Sequence, residues 1–340
     1  ADEIAIDLFD AIGEETAFAL AEDNEVAGHI GHALIEGGIA GRHDERWRIA
    51  HEETDARISA YLEELDRMAS VLASEDIALI ALKNAGIARA LHPCAGCSPM
   101  GDVDVLVDPK DFRRAHRLLI ESGYEFKFRS PLEEAEIEAA EAAGGGEYHR
   151  ELPGGDGLWF ELQWRPVAGR WIQPEQEPKS AELIERSVAI EGSHARILAP
   201  EDNLLQVALH TAKHTYVRAP GFRLHTDVDR IVARQDIDWD VFVRRVMATG
   251  VCTAVYFSLA VPAVLMDTPI PTRVLDELRP ASWKKGVLSS WLQSAGLFGP
   301  NEHKFSRPRY LLLNALLYDD AGGLARAVFP SRTVMHERYD

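Results

Sequence analysis

Two aspartates one residue apart, Asp102 and Asp104, stand at the head of the run Val103-Asp104-Val105-Leu106-Val107. Strand alternation puts their carboxylates on one face and Val103 and Val105 on the other. Two such groups repel each other unless a cation or a shared proton lies between them. Hard oxygen ligands of this kind suit Mg²⁺, which enzymes commonly hold with one or two carboxylates plus substrate phosphates. Glu161 lies in a later strand pattern, Leu158 to Trp164, which groups Trp159, Glu161 and Gln163 on one face. A third carboxylate beside the pair serves to hold a second metal, or to deprotonate a hydroxyl next to the first. The competing reading is a pair of solvated aspartates at a strand end and a surface glutamate on an edge strand. Lys83 ends the apolar run Ile77 to Leu82 and can reach a phosphate as a point charge, or stand in solvent.

These side chains need a sheet to position them. Ile77 to Leu82 reads as a short buried strand, residues 85–91 as a helix, 92–101 as a loop and 103–107 as the aspartate strand. A helix over 111–122 follows, with Phe112, Ala115, Leu118 and Leu119 inward and Gly123 as its C-terminal glycine, and then a strand over 124–128. This strand–helix alternation argues for an α/β sheet. Residues 131–143 read as an exposed helix or mobile flap, and Gly144-Gly145-Gly146 as a hinge or turn. A hairpin is expected next, Tyr148 to Leu152 and Leu158 to Trp164 around a turn at 153–157.

Upstream, residues 4–35 carry apolar residues at helical spacing. A long helix is expected from Asp44 to about Ala73, with Ile49, Ile58, Tyr61, Leu62, Leu65, Met68 and Leu72 as its apolar stripe. Beyond Pro174 the chain reads as mainly helical, with Pro200-Glu201-Asp202 as a start signal. Helices are expected over 203–217, 225–233, 239–247, 254–265 and 282–297. The implied division is an N-terminal helical region over residues 1–74, a catalytic core over 75–175 and a helical region over 176–340.

Two further constellations invite metal chemistry. His210 and His214 share a helix face with the zinc-binding i, i+4 spacing, but Thr211 stands where a metalloprotease motif has glutamate. His92-Pro93-Cys94-Ala95-Gly96-Cys97 offers two thiols, and a zinc site there lacks a fourth ligand at recognisable spacing, since Cys252 is remote. It reads as a loop near the active site whose cysteines are either paired or free.

With 55 acidic against 36 basic residues the formal charge is −19, which disfavours a nucleic-acid groove or an anionic membrane. Ala1-Asp2-Glu3 has neither a basic n-region nor an apolar h-region, so no signal peptide is expected. Residues 251–266 are too short and mixed for a membrane span, and Pro262 should end or kink that helix. Three cysteines make no disulfide framework, and a reducing, cytoplasmic setting fits.

The segments Leu82-Lys83-Asn84-Ala85-Gly86, Pro99-Met100-Gly101-Asp102-Val103-Asp104 and Glu161-Leu162-Gln163-Trp164 resemble the bacterial "uncharacterised nucleotidyltransferase" family of the polymerase-β-like superfamily. Leu198 to Leu205, Leu209 to His214, Asp229 and Asp238-Trp239 resemble that family's helical half, so the likeness covers roughly residues 45–275. Asn84 stands where the pattern has glycine, and Ser98 where it has arginine. The resemblance implies an α+β fold, a mixed sheet with flanking helices. It also implies Asp102, Asp104 and Glu161 as catalytic metal ligands for Mg²⁺ or Mn²⁺ beneath a nucleoside triphosphate. Lys83, Asn84, Ser98, Gly101, Lys213 and His214 would contact the nucleotide or substrate. The expected activity is transfer of a nucleoside monophosphate, ATP being one candidate donor, to a small-molecule, peptide or protein acceptor, in bacterial biosynthetic tailoring. Alternatives are kinase-like phosphotransfer on the same site and a noncatalytic nucleotide-binding scaffold.

Overall fold

The computed structural model describes residues 11–37, 45–130, 135–153, 157–166, 171–218, 220–298, 304 and 306–328. Residues 4–10 of the expected helical stretch 4–35, the expected helix start at Asp44 and residues 154–156 of the expected turn 153–157 lie outside them, as do 131–134 of the expected flap. The chain divides into two compact units, Ala1–Pro166 with Lys179–Ala199, and Val167–Pro178 with Pro200–Asp340.

The first unit begins with helices α1 (Glu14–Asp23), α2 (Ala27–Glu36) and the 28-residue α3 (Arg46–Ala73). Ile58, Tyr61, Leu65, Met68 and Leu72 form the buried face of α3, at the 3–4 residue spacing that puts them on one side. Ile49, expected in that stripe, is 42% exposed. Trp47 in the same turn is buried, and Ile49, nine residues before Ile58, falls on the other side of the helix. Solvated positions carry the exposed i, i+4 pair Arg48–Glu52, whereas Glu64, largely buried between Arg67, Arg150 and Tyr124, flanks the packed face.

The sheet is built from β1 (Ile80–Ala81), β2 (Val103–Leu106), β3 (Glu125–Phe126), β4 (Gly145–Glu151), β5 (Gly157–Gln163), β6 (Val188–Ala189) and β7 (Arg196–Ile197). Helices α4 (Lys83–Ala90), α5 (Phe112–Glu121), α6 (Ile137–Ala143) and α7 (Ser180–Arg186) connect them. The order is β3-β4-β5-β2-β1-β7-β6. β2 runs parallel to β5 and β1 parallel to β7, while β1 and β2 are antiparallel. The sheet is therefore mixed and the fold α+β. β6 and β7, two residues each, were not anticipated.

Gly144 caps α6 in the left-handed region at φ 101, a conformation that costs glycine little. Gly145 and Gly146, expected to form a hinge or turn with it, instead open β4 and pair with Gln163 and Leu162. A Cβ on Gly146 would come within 2.8 Å of the Phe126 ring, so the ladder closes only over glycine there. The expected flap is a helix whose Ala140 is buried in the core.

The main core packs α3 and α5 against one face of the sheet, through Leu65, Met68, Phe112 and Leu119 on Val103, Val105, Phe160 and Leu162. The other face of β2 presents Leu106 to a small cluster with Ile80, Leu82, Leu183 and Leu198. Farther along that face the apolar cover stops, and the next side chains are Asp104 and Asp102.

The second unit is helical: α8 (Pro200–Lys213), α9 (Gly221–Arg234), α10 (Trp239–Thr249), α11 (Cys252–Leu265), α12 (Thr272–Glu277), α13 (Ser282–Ala295), α14 (Arg307–Leu316) and α15 (Ala321–Val328). α8 starts at the expected Pro200. Pro262 sits in the last turn of α11, which runs on only to Leu265. Asp319 accepts from the Cys252 and Thr253 amides at 2.6 and 2.7 Å, satisfying orphan donors at the start of α11. No helix among the described residues is long and apolar enough to cross a membrane.

Candidate functional site

Parallel pairing of β2 with β5 sets Asp104 opposite Glu161. Side-chain alternation places both on the uncovered face, with Asp102 one pleat away. Oxygens of Asp102, Asp104 and Glu161 all lie within 4.8 Å of one another. Asp104 is 4% exposed, whereas Asp102 and Glu161 are half-buried.

Burial first, and then the neighbouring Asp104 charge, push the Glu161 carboxyl up to about 8. It therefore holds a proton at neutral pH when no cation is present. Gln163, two residues on along the same face of β5, donates from Nε2 to Asp104 Oδ1 at 2.7 Å and to Glu161 Oε2 at 3.1 Å.

Two cations face the carboxylates. Lys83 Nζ lies 2.6 Å from Asp104 Oδ1. Burial works against its charge, but Asp104, Glu161 and Asp102 together raise its pKa above the ordinary lysine value. Lys83 opens α4 with φ 47, a left-handed backbone rarely tolerated without glycine, so its ammonium is aimed at the cluster from a strained position. Arg129 donates from Nη2 to Asp102 Oδ2 at 2.7 Å, lies 3.7 Å from Glu161 Oε1, and covers the Trp159 ring at 5.0 Å. Burial opposes the Arg129 charge, and Asp102 and Glu161 outweigh it and raise its pKa.

Of the other expected contacts, Asn84 is buried in the first turn of α4. Ser98 is buried with its Oγ lacking a hydrogen-bond partner among the described residues, and Gly101 is exposed just ahead of Asp102. Lys213 and His214 belong to the second unit, at the end of α8. There Lys213 is exposed and His214 stacks on His210 with ring centroids 4.8 Å apart. Arg129 and Gln163 were not anticipated as site residues. Gln163 could have been found from its alternation with Glu161, whereas no local pattern points to Arg129.

The donor set fits a hard divalent cation. Three convergent carboxylates, one driven to hold a proton by burial and then by the charge of its neighbour, are relieved when a cation lies among them.

A mixed sheet carries three carboxylates on paired strands with a lysine facing them, and the fold is α+β. The chain belongs to the family described as uncharacterised nucleotidyltransferase, whose model matches residues 10–267 of 340. A search of curated proteins finds no match. Among solved structures, an antigenic nucleotidyltransferase-like protein from Paracoccidioides brasiliensis aligns at 15% identity and a TM-score of 0.40. That alignment covers 64% of this chain and 93% of the other, and a likeness so loose carries no argument here.

Proposed function

We propose that this protein transfers a nucleoside monophosphate from a nucleoside triphosphate to a small-molecule, peptide or protein acceptor, as a biosynthetic tailoring step. The observation that carries this reading is the convergence of Asp102, Asp104 and Glu161 within 4.8 Å, with Lys83 2.6 Å from Asp104. In this reading Asp102 and Asp104 hold Mg²⁺ or Mn²⁺ and Glu161 is the third ligand or the base. Such an ion, when bound, neutralises phosphate charge and polarises the phosphoryl oxygens.

The chain's own groups do the rest. Where Glu161 does not ligate the ion, its carboxyl, freed of its proton once a cation neutralises the neighbouring carboxylates, takes the proton of the acceptor hydroxyl. The acceptor oxygen bonds to the α-phosphorus as the bond to the β-phosphate bridging oxygen breaks, and pyrophosphate leaves. Lys83 and Arg129 turn from the carboxylates to the phosphates, and Gln163 holds Asp104 and Glu161 in register. Phosphoryl-type displacement asks a protein for positioning and charge stabilisation more than for covalent chemistry. The formal charge of −19 favours such acceptors over a nucleic acid.

A noncatalytic nucleotide-binding reading draws on one observation: Lys83 and Arg129 already satisfy Asp104 and Asp102 within the chain. Calorimetry separates the two. Each triphosphate is titrated with and without Mg²⁺ into the wild type and into Asp102→Ala/Asp104→Ala. Binding that needs both metal and carboxylates, followed by a product whose mass gains one nucleotide, supports the transferase. A gain of one phosphate would instead mean kinase-like transfer, and triphosphate binding indifferent to both would leave the scaffold.

A further inference from the structure

Away from the carboxylates, a second group of ligating side chains converges in the first unit. His32 on α2 and His51 on α3 meet Cys94 and Cys97, which bracket the short 3-10 turn Ala95–Cys97 in the loop after α4. Their ligand atoms all lie within 4.8 Å of one another. Cys94 Sγ is 3.5 Å from His32 Nδ1, 4.0 Å from His51 Nε2 and 2.9 Å from Cys97 Sγ. Bonds of about 2.3 Å to sulfur and 2.0–2.1 Å to nitrogen put tetrahedral ligand atoms about 3.3–3.8 Å apart, so the cluster is close to a zinc shell. Cys94 and Cys97 are not joined by a disulfide.

The surroundings are arranged for ligation. His51 Nδ1 lies 3.0 Å from the Gly28 carbonyl oxygen, so this nitrogen carries the proton and Nε2 is left with its lone pair toward the thiols. A backbone acceptor on the far nitrogen is the usual outer support of a zinc-bound histidine. Gly96 permits the approach, because a Cβ there would run into the His51 ring and backbone. The Gly96 amide is held in turn by Asp55 Oδ1 at 2.9 Å. Across the same contact, a Cβ on Gly28 would come 2.6 Å from the Gly96 carbonyl oxygen. Three separate stretches of chain are thus brought within backbone distance at the cysteines. A second group, His29 and His92, shares Cys97 but supplies only three ligands, and its His29 Nδ1 lies 3.3 Å from the Cys97 carbonyl oxygen.

We propose that His32, His51, Cys94 and Cys97 bind one zinc ion as a structural site. Nitrogen and thiolate ligands select zinc over the hard cations suited to the carboxylates. The site releases its two thiol protons on loading, and the two thiolates cancel the ionic charge, which suits a closed four-ligand shell. Its consequence is mechanical. Cys97 precedes Asp102 by five residues, so the ion ties the approach to the aspartate strand onto α2 and α3.

The full-length chain, purified under reducing conditions from zinc-supplemented cells, is expected to carry about one zinc per chain by elemental analysis. Cys94→Ser and His51→Ala lose it. His29→Ala and Asp102→Ala/Asp104→Ala keep it, the latter because the site is independent of the carboxylates. Should the loss variants fail to fold, the wild type still decides. Exchange with Co²⁺ should give thiolate charge-transfer bands and intense tetrahedral bands, and a thiol-blocking mercurial should release zinc to a coloured indicator. Reduced wild-type protein without stoichiometric zinc, a weak octahedral cobalt spectrum, or zinc lost with His29→Ala but kept in His51→Ala overturns the assignment.

Discussion

Asp104 and Glu161 stand opposite each other on parallel strands, and the single Gln163 amide donates to both carboxylates, at 2.7 and 3.1 Å. Burial of Glu161, reinforced by this pairing, holds its carboxyl up to about 8, from an ordinary value of 4.5. Between those values the folded chain binds the proton and the unfolded chain does not. Stability of the metal-free protein therefore falls as pH rises through 4.5 to 8. Glu161→Gln should flatten that slope in denaturant titrations at a series of pH values, and should abolish metal binding. At neutral pH, loading the wild type with Mg²⁺ should release a proton, read as a calorimetric heat that changes with the ionisation enthalpy of the buffer. A slope unchanged in Glu161→Gln would show that another group carries it.

Lys83→Met removes an ammonium 2.6 Å from the buried carboxylate of Asp104. Removing one partner of a buried pair costs about 3 kcal/mol, and the loss should appear in denaturant unfolding without metal. Saturating Mg²⁺ should restore part of it, because the cation takes over the neutralising role, while triphosphate affinity remains weakened. Lys83→Gly relieves the backbone at φ 47 and should therefore lose less stability than Lys83→Met. Equal losses in both would show that the left-handed backbone stores no strain.

The carboxylate geometry was legible because a strand's two-residue period is rigid. Once residues 103–107 and 158–164 are read as strands, the faces of Asp102, Asp104, Glu161 and Gln163 follow. That β2 and β5 are parallel neighbours is not encoded locally. It depends on β1 turning antiparallel to β2, which the strand–helix alternation did not indicate. β6 and β7 lack the longer strand-like runs that announce the equally short β1 and β3, Ile77 to Leu82 and Tyr124 to Phe128. Arg129 reaches Asp102 only through the path of the chain after β3, and its own neighbours say nothing of it. His32 and His51 were illegible for a related reason: they lie 62 and 43 residues from Cys94, far beyond any ligand spacing readable along the chain.

His225 offers a pH test confined to the helical unit. It is fully buried on α9, and its Nε2–H donates to the Tyr216 carbonyl oxygen at 2.8 Å. Nδ1 is buried with no hydrogen-bond partner among the described residues, so protonation there would place a charge in a poorly solvated site. Burial accordingly lowers the imidazole pKa to about 4 from 6.5, against the opposing pull of the Tyr216 carbonyl. Between those values the unfolded chain binds the extra proton, so the stabilisation is complete above 6.5 and is lost as pH falls toward 4. At about 1.4 kcal/mol per pH unit, the full window is worth about 3 kcal/mol. His225→Gln keeps a donor for Tyr216 but does not titrate. Urea unfolding across the window should show a steeper acid loss in the wild type than in His225→Gln, and parallel losses would mean that His225 is not the group being protonated.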